Sequence, residues 1–425
     1  MNKLPTEIMV MILDLLDYKT QKRFIFVTKI NKQLLKYWVI TEKIYVIKKV
    51  LRWRYYDNLS NIKIDKIPEK YPKKMQRLEF DDDFNQLIDE RIPTSVKYLK
   101  FGHDFNQTVD KLPLSIKSIE FGHDFNEAVD KLPLSIKSIK LGNDFNKAVD
   151  KLPSSIKSIE FGYHFNQAVN ELPLSIKKIK FGNRFNQIVD NLPSSIKYIE
   201  FGHNFNQSVD KLPLSIKSIK FGPCFFQTVD KLPSSIENIE FGWNFNERVD
   251  KLPTSVKYLK FGRFFNRKVD KLPSSIKNLE FGYYFNQSVD NLPSSIKSIV
   301  FGNKFNQSVK KIPSTVVHLE IGWKYNKPLE EIPLSVTHLI INSKRLNGKI
   351  SETITHLTIN CLRYKEEQMP RSITHLTLNT LENIKVPETI THLIVNGINI
   401  NRREYKDMLK YLKKYFVRDS RDSRN

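Results

Sequence analysis

Cysteine is scarce: the 425-residue chain has two, Cys224 and Cys361. That excludes a disulfide-stapled secreted scaffold and a Cys-rich zinc domain. No apolar stretch reaches the roughly 18 residues of a membrane-spanning helix. The apolar start, Met1 to Leu16, is broken or bordered by Glu7, Asp14 and Asp17, and no small-residue cleavage site follows, so no signal peptide is expected. Acidic charge is the minority, 46 Asp and Glu against 69 Lys and Arg, leaving a net charge of +23. Apolar residues make up 40% of the chain, enough for a folded core, which excludes a wholly disordered chain.

Glycine is also sparse, and its placement is informative. Of 14 Gly, twelve fall at 102, 122, 142 and onward to 322, one every twenty residues. Of 28 Phe, 23 occupy two columns, one beginning 80, 101, 121 and the other 84, 105, 125. Such spacing is an internal repeat and overrides a domain count based on length. A typical unit runs Phe101-Gly-x-x-Phe105-Asn106-Gln107-x-Val109-Asp110-Lys111-Leu112-Pro113-x-Ser115-Ile116-Lys117-x-Ile119. Twelve units fill 101–340 without insertion or deletion. A looser one precedes them, with Phe80, Phe84, Asn85, Ile92 and Pro93, and three shortened ones follow, ending at Asn360, Asn379 and Asn396.

Each slot predicts a local structure. Pro113 fixes φ and holds Leu112 extended. Ile119 and Phe121, two apart, predict a short strand with both facing inward. Gly122 permits a turn, after which Phe125 and Val129 return to the core. Asn126 is placed to satisfy loop backbone with its amide. Five apolar side chains cannot be buried by twenty residues alone, so the coils must stack as a solenoid. Lys100, Glu120, Lys140 and onward to Glu280 alternate in sign, which suits parallel strands in register.

The motif Leu-Pro-x-Ser-Ile-Lys-x-Ile-x-Phe-Gly-x-x-Phe-Asn-Gln closely resembles the FNIP repeat, a relative of the leucine-rich repeat. The resemblance implies an α/β repeat solenoid: a curved, leucine-rich-repeat-like stack of about sixteen short parallel strands over 71–400. Phe226, standing where the column has Asn, predicts a local distortion. Leu4-Pro5-x-Glu7-Ile8, Ile12-Leu13, Leu16, Phe24 and Val27 resemble an F-box, which implies a small helical domain over 1–45. In that family these residues dock on a Skp-type adaptor of a cullin ubiquitin ligase. The aromatic often found a few residues after the Val is replaced here by Asn31. Residues 46–70 are expected to be a linker and N-terminal cap. Tyr405, Met408, Leu409, Leu412, Tyr415 and Phe416 share one helical face and predict a C-terminal capping helix over 401–417. The tail, 418–425, is expected to be disordered.

No residue constellation suggests catalysis or a cofactor, because Ser and His recur in repeat slots rather than in a unique triad. His318, His338, His356, His375 and His392 share one slot on five successive rungs. Stacked on an outward strand face they are a weak candidate for a metal-binding or pH-sensitive stripe. The plainer reading is a surface ladder of neutral imidazoles, because a flat column lacks the tetrahedral, usually mixed donor set of zinc, and no metal is assigned. The Lys117-type stripe is offset by Asp110-type and Glu120-type residues, and it reads as a solvated face rather than a nucleic-acid groove.

Recognition is expected where the rungs differ. The 103, 104 and 118 slots are polar in the first half, with His103, Asp104, His123, Asp124 and Asp144. Later they turn aromatic and basic: Trp243, Tyr258, Arg263, Phe264, Tyr283, Tyr284, Lys304 and Trp323. Exposed aromatics with Arg are usual anchors of protein interfaces. The two resemblances imply a substrate receptor of a cullin-type ubiquitin ligase holding a protein target on the solenoid. The alternatives are a non-degradative scaffold or decoy and, below it, a nucleic-acid-binding solenoid. The F-box and FNIP-repeat proteins so resembled occur in amoebae and their large DNA viruses. The expected location is the cytoplasm, the host's if the chain is viral, with the nucleus as the alternative. Neither a membrane partner nor an oligomeric state is assigned.

Overall fold

A computed structural model describes residues 45–47, 56–88, 90–343, 346–360, 369–379, 387–401 and 403–404. The chain divides into two units, meeting at Phe205 and Asn206.

In the first unit, strands Tyr45–Val46, Asn61–Ile64, Arg77–Phe80 and Tyr98–Lys100 are followed by a three-residue strand every twenty residues to Tyr198–Glu200. Each pairs in parallel with the next at one register, Ile62 opposite Leu78, Leu78 opposite Leu99, Leu99 opposite Ile119. Pairing of like slots follows from the repeat, since a shift by one residue would turn every Ile119-type side chain to solvent. The second unit continues the pattern from Ser218–Lys220 to His392–Val395. There the chain reverses through Asn396 and Gly397, both at positive φ (50° and 80°), and Ile398–Asn399 returns antiparallel on Ile394 and Val395. Asn-Gly is the preferred pair for such a two-residue hairpin turn.

The sixteen expected rungs each end in one strand, from Tyr98–Lys100 to His392–Val395. Three strands precede them, so 46–70, expected as linker and cap, supplies the strand Asn61–Ile64. The α/β description needs correction. Among the described residues the helices are single turns, such as Tyr56–Asn58 and Leu329–Glu331. A Leu-Pro or Ile-Pro step in each rung from Ile92-Pro93 to Ile332-Pro333 and only about twenty residues per coil leave the return path to turns and extended backbone. The expected F-box helices and 418–425 tail lie outside the described residues, as does most of the expected C-terminal helix. At that helix's start, Asn401 Oδ1 accepts the N–H groups of Arg403 and Glu404, and Glu404 Oε2 accepts that of Asn401. This reciprocal pair is a capping box.

The core repeats like the sequence. Val109, Leu112, Ile116, Ile119, Phe121 and Phe125 are all buried. Phe101 stacks on Phe105 at 3.9 Å and on Phe121 at 5.4 Å, while Phe105 lies 6.1 Å from Phe125. Offset stacks of this kind add about 0.5–1.5 kcal/mol per pair beyond burial. The repeat glycine is required by the approach of successive coils. A Cβ on Gly162 would lie 1.8 Å from the carbonyl oxygen of Gly142.

Polar columns tie the coils together. Ser135 Oγ donates to Ile116 O at 2.6 Å, and Ser155 to Ile136 O at 2.6 Å. The N–H of Asn126 donates to Asn106 Oδ1, and that of Asn146 to Asn126 Oδ1, both at 2.9 Å. The alternating charges sit as expected, Glu120 lying 3.5 Å from Lys100 and 3.6 Å from Lys140. Surface pairs of this sort contribute about 0–1 kcal/mol and mainly reinforce register. At Phe226 the strands keep their register, and its N–H still donates to Asn206 Oδ1. The expected distortion is thus a missing link: Phe226 has no side-chain oxygen for the N–H of Asn246.

Candidate functional site: an aromatic and basic turn edge

From Asn238–Glu240 to Ser298–Val300 each strand is followed by a buried Phe and the close-packed Gly, and the next two residues form an outward turn. In the second unit the turns are laced by backbone bonds: Phe264 N–H to Trp243 O (2.8 Å), Tyr284 N–H to Arg263 O (2.9 Å), Lys304 N–H to Tyr283 O (2.9 Å) and Lys324 N–H to Asn303 O (2.8 Å). The side chains therefore project from a fixed backbone ladder.

Trp243 is 62% exposed, Phe264 43% and Tyr284 38%. Phe264 and Tyr284 stack at 5.0 Å, and Tyr283 meets Tyr284 edge-on at 4.8 Å. The Arg263 guanidinium lies 5.1 Å from the Tyr283 ring and 5.8 Å from that of Phe264. Lys304 Nζ lies 5.9 Å from Tyr283 and 6.0 Å from Tyr284. Cations so placed gain about 0.5–1 kcal/mol at exposed sites and more once a partner excludes water. Beside this cluster an open cleft of about 510 Å³ is lined by Tyr283, Asn303, Trp323, Lys324, Asn342 and Asn360.

Seven of the eight residues expected for target binding thus occupy consecutive turns. Tyr258 does not join them. It lies on the strand Tyr258–Lys260, on the sheet's outer face, where its hydroxyl donates to Glu280 Oε1 at 3.0 Å. Burial, then that bond, push the phenol well above its ordinary range. Asn303, Lys324, Asn342 and Asn360 were not anticipated. Lys324 occupies the variable 104 slot, which could have signalled it. Asn342 and Asn360 follow two of the longer four-residue strands and bond to each other, and Asn379 Nδ2 donates to Asn360 Oδ1 at 2.7 Å.

The five-histidine column is present, in register, on the outer sheet face. From His338 to His392 successive rings are 4.0, 4.1 and 4.2 Å apart and nearly parallel. Nδ1 of His356, His375 and His392 lies 2.9 Å from the preceding Thr Oγ1. Each of those Thr hydroxyls also reaches a carbonyl of the previous rung, at 3.4, 3.3 and 3.1 Å. A hydroxyl donating to the carbonyl must accept from Nδ1–H, so the Nε2 lone pairs face outward. Burial, then the neighbouring imidazoles, lower the pKa of His338 and His375 below 6.5. Parallel rings do not aim their lone pairs at one point. Among the described residues, His103, His123 and Asp124 are the group whose ligand atoms converge. The expected adaptor-binding residues, Leu4 to Val27, lie outside the described residues.

A stack of parallel strands closed by turns, with an exposed cation-aromatic edge, defines a leucine-rich-repeat-type solenoid, an architecture that commonly presents extended binding surfaces. The FNIP Repeat family matches in eleven segments, most of them overlapping, that together cover residues 61–224 and 228–344. The chain belongs to the FNIP repeat family. The unmatched residues, 225–227, bracket Phe226. No curated protein matches the chain in sequence. Among solved structures it is similar to CroV588, described as a novel circular LRR protein, with 31% identity, a TM-score of 0.65 and coverage of 80% of this chain. It spans 60% of the length of CroV588. YopM from Yersinia enterocolitica WA-314 matches at 15% identity and a TM-score of 0.48, over 76% of this chain and 72% of YopM. A chain of the TLR13–ssRNA13 complex matches at 11% identity and a TM-score of 0.51, over 79% of this chain and 64% of that one. At that identity the likeness concerns the fold alone. Among the described residues no helix is long and apolar enough to cross a membrane.

Proposed function

We propose that this chain binds a protein target on the turn edge from Trp243 to Lys324. The observation that carries the reading is the exposed, ladder-held cluster of Arg263, Phe264, Tyr283 and Tyr284. Large aromatics and Arg presented rigidly lose little side-chain entropy on binding, which is why they dominate interface energetics. Replacing Arg263 or Tyr284 by Ala is expected to weaken target binding by roughly 2 kcal/mol, about 30-fold, with little effect on folding. A protein partner is favoured over single-stranded nucleic acid because Phe264 and Tyr284 already close on each other at 5.0 Å, leaving no slot between them for a stacked base. Negligible binding of a labelled oligonucleotide at low salt is the expected result.

The finer reading is a substrate receptor of a cullin-type ubiquitin ligase, acting in the cytoplasm. It is supported by the resemblance of Leu4-Pro5-x-Glu7-Ile8 and the residues through Val27 to an F-box, placed ahead of the repeats. The ligation chemistry would then belong to other subunits. The test is binding of purified protein to a Skp-type adaptor, beside a variant with Leu4, Pro5 and Ile8 changed to Ala. Binding that is lost in the folded variant supports the receptor role. No binding by wild type leaves a scaffold that holds a target without ubiquitin machinery.

A further inference from the structure

The turn edge of the first unit has a different chemistry. There the repeat places His in two successive 103 slots and Asp in three successive 104 slots: His103, His123, Asp104, Asp124 and Asp144. The backbone holds them in step, with Asp104 N–H donating to Asp82 O at 2.8 Å, Asp124 N–H to His103 O at 3.0 Å and Asp144 N–H to His123 O at 2.9 Å. Asp124 Oδ1 lies between the two imidazoles, 2.8 Å from His123 Nδ1 and 3.6 Å from His103 Nδ1. Asp104 Oδ1 is 2.7 Å from His103 Nδ1, and Asp144 Oδ2 is 3.9 Å from His123 Nδ1. One ligand atom each from His103, His123 and Asp124 falls within 4.8 Å of the other two.

We propose that His103, His123 and Asp124 bind one divalent first-row transition-metal ion of the zinc class. Bonds of about 2.0–2.2 Å in a tetrahedral site put ligand atoms roughly 3.3 Å apart. The two Nδ1-to-carboxylate separations, 2.8 and 3.6 Å, bracket that value. Two imidazoles and a carboxylate are a borderline donor set that suits zinc, cobalt and nickel over calcium or magnesium. A water would complete four-coordination, and Asp104 and Asp144 offer further carboxylates to orient it.

Three adjustments accompany binding. The imidazoles are stacked at 4.6 Å and 9°, so each must turn toward the ion. Their side chains are 54% and 41% exposed, which leaves room for that rotation. Ligation through Nδ1 also requires the ring proton on Nε2, so any imidazolium present releases one proton to solvent. His103 must also give up the hydrogen bond that its Nδ1 makes to Asp104 Oδ1 at 2.7 Å. His203 is a natural contrast: it reaches Asn204 Oδ1 at 2.8 Å, a neutral amide in place of the carboxylate.

The experiment is a Co²⁺ titration of the full chain at neutral pH, read by visible absorption, followed by displacement with Zn²⁺. The expected result is one tightly bound ion per chain with a tetrahedral or five-coordinate spectrum, lost when His103 and His123 are both changed to Asn. Asn is the residue the repeat carries at Asn143 in the same slot, so the fold is kept, and circular dichroism verifies this. Asp124→Asn, which replaces the ligand carboxylate by a neutral amide, should weaken Zn²⁺ binding, and unchanged affinity in that folded variant would count against the site. Changing His338, His356 and His375 to Asn should leave the Co²⁺ spectrum unchanged. Absence of a stoichiometric Co²⁺ spectrum, or one that survives in the folded His103→Asn/His123→Asn variant, would overturn the assignment.

Discussion

Gly162→Ala tests whether close approach of successive coils governs the repeat. A Cβ at that position would lie 1.8 Å from Gly142 O, 2.4 Å from its carbonyl carbon and 2.7 Å from Asn143 Cα. All three are backbone atoms, so no side-chain rotation relieves the clash. The two coils must separate locally by roughly 1 Å or more to reach ordinary contact. That separation sacrifices the bond from His164 N–H to Asn143 O (2.8 Å) and the one from Asn166 N–H to Asn146 Oδ1 (2.9 Å). At about 1 kcal/mol each, with a further ~1 kcal/mol for loosening the Phe145–Phe165 stack, the expected destabilisation is about 3 kcal/mol. Urea unfolding followed by circular dichroism reads the midpoint, and amide exchange over residues 142–166 localises the defect. Lys147→Ala, in the preceding coil but exposed, should shift stability by less than about 0.5 kcal/mol. A Gly162→Ala midpoint as close to wild type as that of Lys147→Ala would refute the reasoning.

Phe226→Asn should restore the missing acceptor and slow amide exchange at Asn246 about fivefold, the worth of one ~1 kcal/mol bond; unchanged exchange would count against the ladder. Bonds from Lys257 at 2.8 Å and Lys217 at 3.0 Å hold the Glu237 carboxyl well below its usual value, at about 2. Carbon-13 titration should find it ionised at pH 3.5, and a midpoint near 4.5 would contradict the ion-pair geometry. The histidine column makes stability pH-dependent. His338 and His375 have native pKa values below 6.5, so the unfolded chain binds more protons there as the pH falls. Their stabilisation is full above pH 6.5 and is lost as the pH drops through the lowered native values. Changing both to Asn should flatten the urea midpoint between pH 7 and 5; an unaltered pH profile would show that the column is not responsible.

The repeat made most of the fold legible. A Phe-Gly pair every twenty residues sets both the coil length and the register, and the alternating Lys100-to-Glu280 column corroborates parallel pairing. Less visible were features that depend on neighbours at twenty-residue separation. The close contact above Gly162 and the Ser135-to-Ile116 bond are relations between coils, which a single unit does not display. The Asn396-Gly397 hairpin carried a recognisable turn signal, hidden by the expectation that a helix closes the last coil. The variable slots located the turn edge, yet they also drew in Tyr258, because the 118 slot varies for a different reason: it faces outward from the sheet. The convergence of His103, His123 and Asp124 was legible only as a polar stretch. Their grouping arises when two coils stack.

The central claim is that a protein target binds the Trp243-to-Lys324 edge. Quantitative mass spectrometry of proteins retained from cell extract by immobilised full chain would test it, using two folded variants. One carries Ala at Trp243, Arg263 and Tyr284. The other carries Ala at Lys111, Lys131 and Lys151, away from those turns. The account predicts a specifically retained protein that persists with the lysine variant and is lost with the edge variant. Retention of the same proteins by wild type and both variants would contradict it.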